Sequence, residues 1–107
     1  MFYELNIYKP HNGRAPFEKW LSSLKDRKTQ QIIQSRIDRA ALGNLGDVKA
    51  LGEDVFELRI AFGPGLRVYF SIQGQKIFLL LAGGNTQTQS KDIEMAKKYL
   101  EDWKSYG

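Results

Sequence analysis

No cysteine occurs among the 107 residues. That excludes a disulfide framework and a thiolate metal site, and it is compatible with a reducing cytoplasm. The single histidine, His11, excludes histidine-rich metal sites and acid/base chemistry by a histidine pair. It stands in Pro10-His11-Asn12-Gly13, a string of residues that favours an exposed turn. Long apolar runs are also missing. None approaches membrane-spanning length, and Met1-Phe2-Tyr3-Glu4 has neither the basic region nor the apolar core of a signal peptide, so a soluble, cytoplasmic protein with no membrane segment is expected. The glycine clusters carry no nucleotide fingerprint: no Lys-Ser/Thr follows Gly63-Pro64-Gly65, and Gly83-Gly84 leads only into Asn85-Thr86. A Ser-His-Asp triad would have to draw on His11 in its turn, far from any nucleophile elbow. Asp92 and Glu94 read as charges near the positive end of a helix rather than as metal ligands. Neither a cofactor nor a metal is expected. Repeats, low-complexity tracts and linkers are absent, so residues 1–107 are read as a single domain, long enough to bury a core.

Sixteen Lys and Arg against twelve Asp and Glu leave a formal charge of +4. Its distribution is uneven, with nine basic and five acidic residues up to Ala50 and seven of each thereafter. The excess gathers around Lys25, Arg27, Lys28, Arg36 and Arg39, which favours an anionic partner, either nucleic acid or an acidic protein segment.

The most informative stretch is Val55 to Phe70. Leu58, Ile60 and Phe62 alternate with Glu57, Arg59 and Ala61, and beyond Gly63-Pro64-Gly65 the residues Leu66, Val68 and Phe70 alternate with Arg67, Tyr69 and Ser71. The pattern predicts a β-hairpin in which Phe62 faces Leu66 across a three-residue loop, Ile60 faces Val68, Arg59 faces Tyr69 and Ala61 faces Arg67. One face is apolar. The other carries two arginines and a tyrosine in a compact positive patch suited to a phosphate, or simply a solvated strand face on which Glu57 neutralises one arginine.

Around this hairpin the remaining elements are set by periodicity. Phe2 to Tyr8 alternates as a short first strand. Pro16 opens a helix with Phe17, Trp20, Leu21 and Leu24 on its buried side, and Thr29 to Leu42 forms a second with Arg36 and Arg39 outward. Val48 to Leu51 makes a short strand that places Lys49 beside the hairpin. Ile77 to Ala82 is an unbroken apolar run typical of a central strand covered on both faces, ended by Gly83-Gly84. Thr88 or Ser90 caps a final helix bearing Ile93, Ala96, Leu100 and Trp103. The order β-α-α-β-β-β-β-α describes an α+β domain in which an N-terminal helical hairpin and a C-terminal helix pack on an antiparallel sheet.

Val55-Phe56-Glu57-Leu58-Arg59-Ile60, Gly63 to Phe70, Leu79-Leu80-Leu81-Ala82-Gly83-Gly84-Asn85, Gln89-Ser90-Lys91-Asp92-Ile93 and Pro16 to Leu21 together resemble the RelE/ParE superfamily of toxins. The likeness is greatest to its HigB-like branch, the phage-derived (Gp49-like) addiction-module killer proteins. The resemblance implies a compact RelE-like domain. It further implies the cytoplasmic toxin of a type II toxin-antitoxin system, held by a cognate antitoxin that often carries a helix-turn-helix domain. By the same resemblance it acts as a metal-independent endoribonuclease, an mRNA interferase that cuts mRNA on the ribosome. Such cleavage needs a base for the 2′-hydroxyl proton, cations for the crowded phosphate and an acid for the departing oxygen.

Position by position, the resemblance makes Arg67 the basic residue at the scissile phosphate and Arg59 a basic site on the preceding strand. Tyr69 becomes a residue that orients Arg59, stacks on a base or exchanges a proton. Lys49, Asn85 and Lys91 become candidate RNA contacts, and Glu57 a candidate for proton transfer. Two departures stand out: Glu57 occupies a position where active relatives can carry lysine, and Asn85-Thr86 stands where a basic residue is common. A missing cation beside the phosphate costs roughly 2.7 to 4 kcal/mol of transition-state stabilisation. A ParE-like inhibitor of DNA gyrase that acts by binding, or a toxin-like domain that has lost catalysis, are the alternatives.

Overall fold

The computed structural model describes residues 2–106. Its elements are β1 (Glu4–Ile7), α1 (Pro16–Ser23), α2 (Arg27–Ala41), β2 (Val48–Gly52), β3 (Val55–Ile60), β4 (Leu66–Gln73), β5 (Ile77–Asn85), a 3-10 turn (Thr86–Thr88) and α3 (Gln89–Ser105). Pro16 sits in the first turn of α1, where its missing N–H costs nothing. The second helix begins two residues before the expected Thr29, because Asp26 caps it: its carboxylate accepts from the Lys28 N–H at 3.1 Å and from the Thr29 hydroxyl at 2.8 Å. Leu24 to Asp26 separate the two helices, and Arg27 and Lys28 belong to the first turn of α2.

The strands form one sheet in the order β1-β5-β4-β3-β2. Neighbours are antiparallel except β1, which runs parallel to β5, with Glu4 opposite Ile77 and Ile7 opposite Leu80. This corrects the wholly antiparallel expectation. The chain leaves β1, crosses through both helices and three strands, and returns beside it in the same direction, a geometry that adjacent hairpins cannot give.

Both faces of the sheet are covered. Leu58, Ile60, Leu66, Val68, Phe70, Phe78 and Leu80 pack with Phe17, Ile33, Ile37 and Ala40 of α1 and α2, and Phe70 stacks on Phe78 at a centroid distance of 4.2 Å. On the opposite face Val55, Tyr69, Leu79, Leu81 and Ala82 pack with Ala96 and Leu100 of α3. The end of α3 is tied to the segment after β1, where the Tyr8 hydroxyl donates to Asp102 Oδ2 at 2.5 Å. So the polar side of the central hairpin is not an open face in water. A third helix lies over it.

The register of that hairpin also differs from the sequence pattern. Ile60 pairs with Leu66, Arg59 with Arg67, Leu58 with Val68 and Glu57 with Tyr69. The loop is five residues rather than three because the strand stops at Ile60. The Phe62 N–H turns back to the Ile60 carbonyl, the Gly65 N–H donates to the Phe62 carbonyl, and Gly63 and Gly65 take φ of 56° and 80°. A shift of two preserves which side chains share a face and changes only which residues oppose each other. Arg59 consequently faces Arg67, not Tyr69.

Strand β5 does not end at the glycine pair. A bulge opposite Tyr69 and Phe70 inserts Leu81 and inverts the parity of the rest of the strand. Ala82 and Gly84 then face α3 while Gly83 faces α1. A Cβ on Gly83 would lie inside the Trp20 indole, and one on Gly84 would overlap the Asp92 carboxylate. The glycines are there because two helices sit against the strand, and the strand runs on to Asn85. We predict that Gly83→Ala destabilises the fold by about 1–3 kcal/mol through overpacking. The loss should shrink when Trp20→Leu opens the space, a coupling that urea midpoints of the two single variants and the double variant would measure.

Candidate anion site at the hairpin

Two cross-strand rows define the site. Lys49, Glu57, Tyr69 and Ala82 stand opposite one another across β2, β3, β4 and β5, and Arg59, Arg67 and Gly84 form the next row. Glu57, two residues before Arg59 on β3, points to the same face of the sheet. Both guanidiniums converge on one of its oxygens: Arg59 Nε lies 3.0 Å and Arg67 Nη1 3.2 Å from Glu57 Oε1. The second oxygen accepts from Gln89 Nε2 at 2.8 Å. Gln89 is the first residue of α3, so the covering helix itself completes the cluster.

Burial grades across it. The Glu57 side chain is fully buried, that of Arg67 is 16% exposed and that of Arg59 37%. The site therefore opens to solvent from the Arg59 end. Burial alone pushes the Glu57 carboxyl up, but the Gln89 hydrogen bond and the two guanidiniums outweigh it and hold the group below its ordinary range. Tyr69, paired with Glu57, moves the other way. Burial first, then the Glu57 and Asp92 charges, push its phenol well up, so it keeps its proton and serves only as a donor. Its hydroxyl and Arg67 Nε are buried with no hydrogen-bond partner among the described residues. Both donors lie buried beside the cationic pair, and the Tyr69 hydroxyl feels the Glu57 carboxylate directly.

The hairpin residues named from the sequence thus come together, while the outlying ones scatter. Lys49 is exposed on β2 in the Glu57 row. Lys91 is exposed on the first turn of α3 and lines a separate groove of about 490 Å³ with Trp20, Gly83, Asp92 and Tyr99. Asn85 is occupied structurally. Its Oδ1 accepts from the Gln87 and Thr88 N–H groups at 2.9 and 3.2 Å, and with Thr88 it forms a capping box on the 3-10 turn that leads into α3. Thr88 stands at the N-cap position of α3, one of the two caps expected, but its side chain makes no cap hydrogen bond there.

Two contributors were not among the site residues named from the sequence. Gln89 anchors Glu57, and Thr86 accepts from Arg67 Nη2 at 3.4 Å. A strand taken to stop at Ala82 hides both, since only its continuation to Asn85 carries them back to the hairpin. Among the described residues no group of three or more His, Asp or Glu could hold a metal ion.

Fold and site together define a mixed, mostly antiparallel α+β protein with an arginine pair held on a buried carboxylate. No family model matches the chain. It is 46% identical over 86 residues to an uncharacterized protein of Haemophilus influenzae, a stretch that covers 80% of this chain and 87% of that relative, and it belongs to the same family as that protein.

A carboxyl held below its unfolded value stabilises the fold above that value and loses the contribution as pH falls through the native one. Glu57 therefore contributes fully at neutral pH and progressively less below about pH 4.3. Glu57→Gln should flatten the acid limb of stability in urea titrations. Glu57→Ala, which leaves the largely buried Arg67 without an anion, should be the less stable of the two variants at pH 7, by roughly 1–3 kcal/mol.

Proposed function

We propose that this chain is a RelE/ParE-like toxin of the HigB-like branch, a metal-independent endoribonuclease that cuts mRNA on the ribosome and is neutralised in the cytoplasm by a cognate antitoxin. The observation that supports it best is the convergence of Arg59 and Arg67 on one carboxylate oxygen at a partly open rim, with Tyr69 and Arg67 Nε holding unpaired donors beside it.

In this reading Glu57 holds the place of the substrate phosphate. A phosphodiester entering from the Arg59 end takes the two guanidiniums, offering them both non-bridging oxygens where Glu57 offers one, its other oxygen being held by Gln89. Arg67 and Arg59 then stabilise the crowded phosphate, and the Tyr69 hydroxyl donates to it. Glu57 loses the charges that hold its proton affinity down while its burial persists, so its affinity for a proton rises. It can then take the 2′-hydroxyl proton as that oxygen attacks phosphorus. The base is made by the arrival of the substrate. The phosphorus bond to the 5′ oxygen breaks, and that oxygen leaves with a proton from water or from the ribosomal surroundings.

Primer extension on translated mRNA during induced expression should reveal cuts that fall by roughly 10²–10³ in rate with Arg67→Ala. Glu57→Gln should separate binding from chemistry: tighter association with RNA, because the internal competitor is gone, but cleavage slower by roughly 10²–10⁴. Intact message during growth arrest would refute the nuclease reading. It would favour the second one, a ParE-like protein that inhibits DNA gyrase by binding, which is supported by the resting state of the site: Glu57 is too acidic and Tyr69 too basic to exchange protons as they stand.

A further inference from the structure

Arg59 belongs to two features at once. Beyond the Glu57 cluster it lines a groove of about 550 Å³ between α2 and the end of β3, together with Lys28, Ser35, Arg36, Arg39 and Ile60. The groove opens where β2 begins: its ladder with β3 stops at Val48 opposite Leu58, one further bond runs from the Arg59 N–H to the Asp47 carbonyl at 2.9 Å, and Ile60 and Ala61 beyond it line the groove with α2. Four of the lining residues are cationic and none is acidic. Lys28, Arg36 and Arg39 recur on one face of α2, and Lys28 to Arg39 spans roughly 16 Å at ~1.5 Å per residue. Among the described residues none of the three forms an ion pair. Arg36, expected to point outward, is instead half-buried, with Nη2 donating to the Leu45 carbonyl. Burial and then the neighbouring Arg39 charge lower its pKa, with Asp47 opposing. The positive charges are crowded without an adequate counterion.

We infer that this α2–β3 groove is a track for the phosphodiester backbone of a single-stranded polynucleotide, which it leads to Arg59 and the Glu57 cluster. The polynucleotide is favoured over an acidic protein segment by two features. The groove is continuous with the candidate site through Arg59, so a strand lying in it ends where the arginine pair can take a phosphate. Three of its four cations are arginines, whose planar forks match phosphate oxygens, and the Ser35 and Gln31 side chains lie among them as further donors. The lining contains no aromatic ring. Backbone contact without base stacking implies binding that is indifferent to sequence. The inference rests on the proposed action on RNA only for the identity of the strand, since the groove would hold single-stranded DNA by the same contacts.

Fluorescence anisotropy with a labelled ten-nucleotide oligouridylate, titrated across salt concentrations, tests this on the full chain. Lys28 and Arg39 are exposed, so Lys28→Gln/Arg39→Gln should fold, which thermal unfolding checks. The expected result is weaker binding, with a slope of log affinity against log salt smaller by roughly 1.4, at about 0.7 per lost phosphate contact on a single strand. An oligoadenylate should show the same loss, and Arg67→Ala should leave most of the slope intact. Unchanged affinity and slope in the folded double variant would overturn the track. So would a decaglutamate peptide that displaces the oligonucleotide, binds more tightly than it does and loses that binding in the same variant, which would assign the groove to a protein partner. Groove-dependent binding alongside uncut message would uphold the track and remove only the nuclease reading.

Discussion

A single carboxylate, that of Glu57, decides how the polar side of the central hairpin is built. Fully buried under α3, it would be intolerable alone, and it is tolerated because two guanidiniums and an amide converge on it. Each partner comes from a different element: Arg59 from β3 itself, Arg67 from β4, Gln89 from the start of α3. Satisfying one charge therefore fixes the hairpin register on that side and the placement of the helix N-terminus over the sheet. The same contacts leave the arginine pair, as a group with Glu57, at a net charge of only +1 rather than +2.

That constraint explains why the sheet differs from a simple two-layer expectation. A hairpin with alternating polar residues ordinarily leaves its polar face in water. Here the polar row occupies only the end of the face near the turn, while Val55, Tyr69, Leu79 and Leu81 give α3 an apolar surface to bury. The bulge at Leu81 and the pair Gly83-Gly84 let β5 pass between Trp20 on one side and Asp92 on the other, which brings Thr86 and Gln89 back to the hairpin. Packing and site geometry are in this sense one problem, solved by where the strand can carry no side chain.

Much of this was legible in the sequence, and the illegible part has identifiable causes. Periodicity of two and of 3.6 located every strand and helix, since burial on one face writes itself into residue order. It placed Arg59, Arg67 and Glu57 on a common face for the same reason. What periodicity cannot carry is pairing: a register shift of two leaves the pattern unchanged, so Arg59 opposite Arg67 and Arg59 opposite Tyr69 read alike. Nor could it tell a glycine pair that ends a strand from one that lets two helices approach it. Asn85 was a candidate RNA contact through the resemblance alone, and its capping role depends on where the Gln87 and Thr88 N–H groups lie, which periodicity does not carry. The cluster's buried glutamate was the least visible feature. In sequence, Glu57 looked like a charge on a wet strand.

The electrostatics of the two adjoining features fit a division of labour. Attraction of a polyanion from solution depends on cations that reach water without a partner, and the self-paired trio at Glu57 offers little of that, being shielded and half-neutralised. Lys28 and Arg39 are exposed and unpaired among the described residues and supply the long-range field. Short-range discrimination obeys opposite rules. In the drier interior each hydrogen bond and charge counts for more, and a phosphate must displace Glu57 to gain Arg67. A ligand with one weakly accepting oxygen cannot repay that exchange, whereas on the proposed reading a phosphodiester, its single charge spread over two oxygens, offers one to each guanidinium where Glu57 offers one to both. On that reading the internal carboxylate acts as a threshold: it keeps the arginine pair from holding stray anions, and it yields to a group that matches both guanidiniums at once.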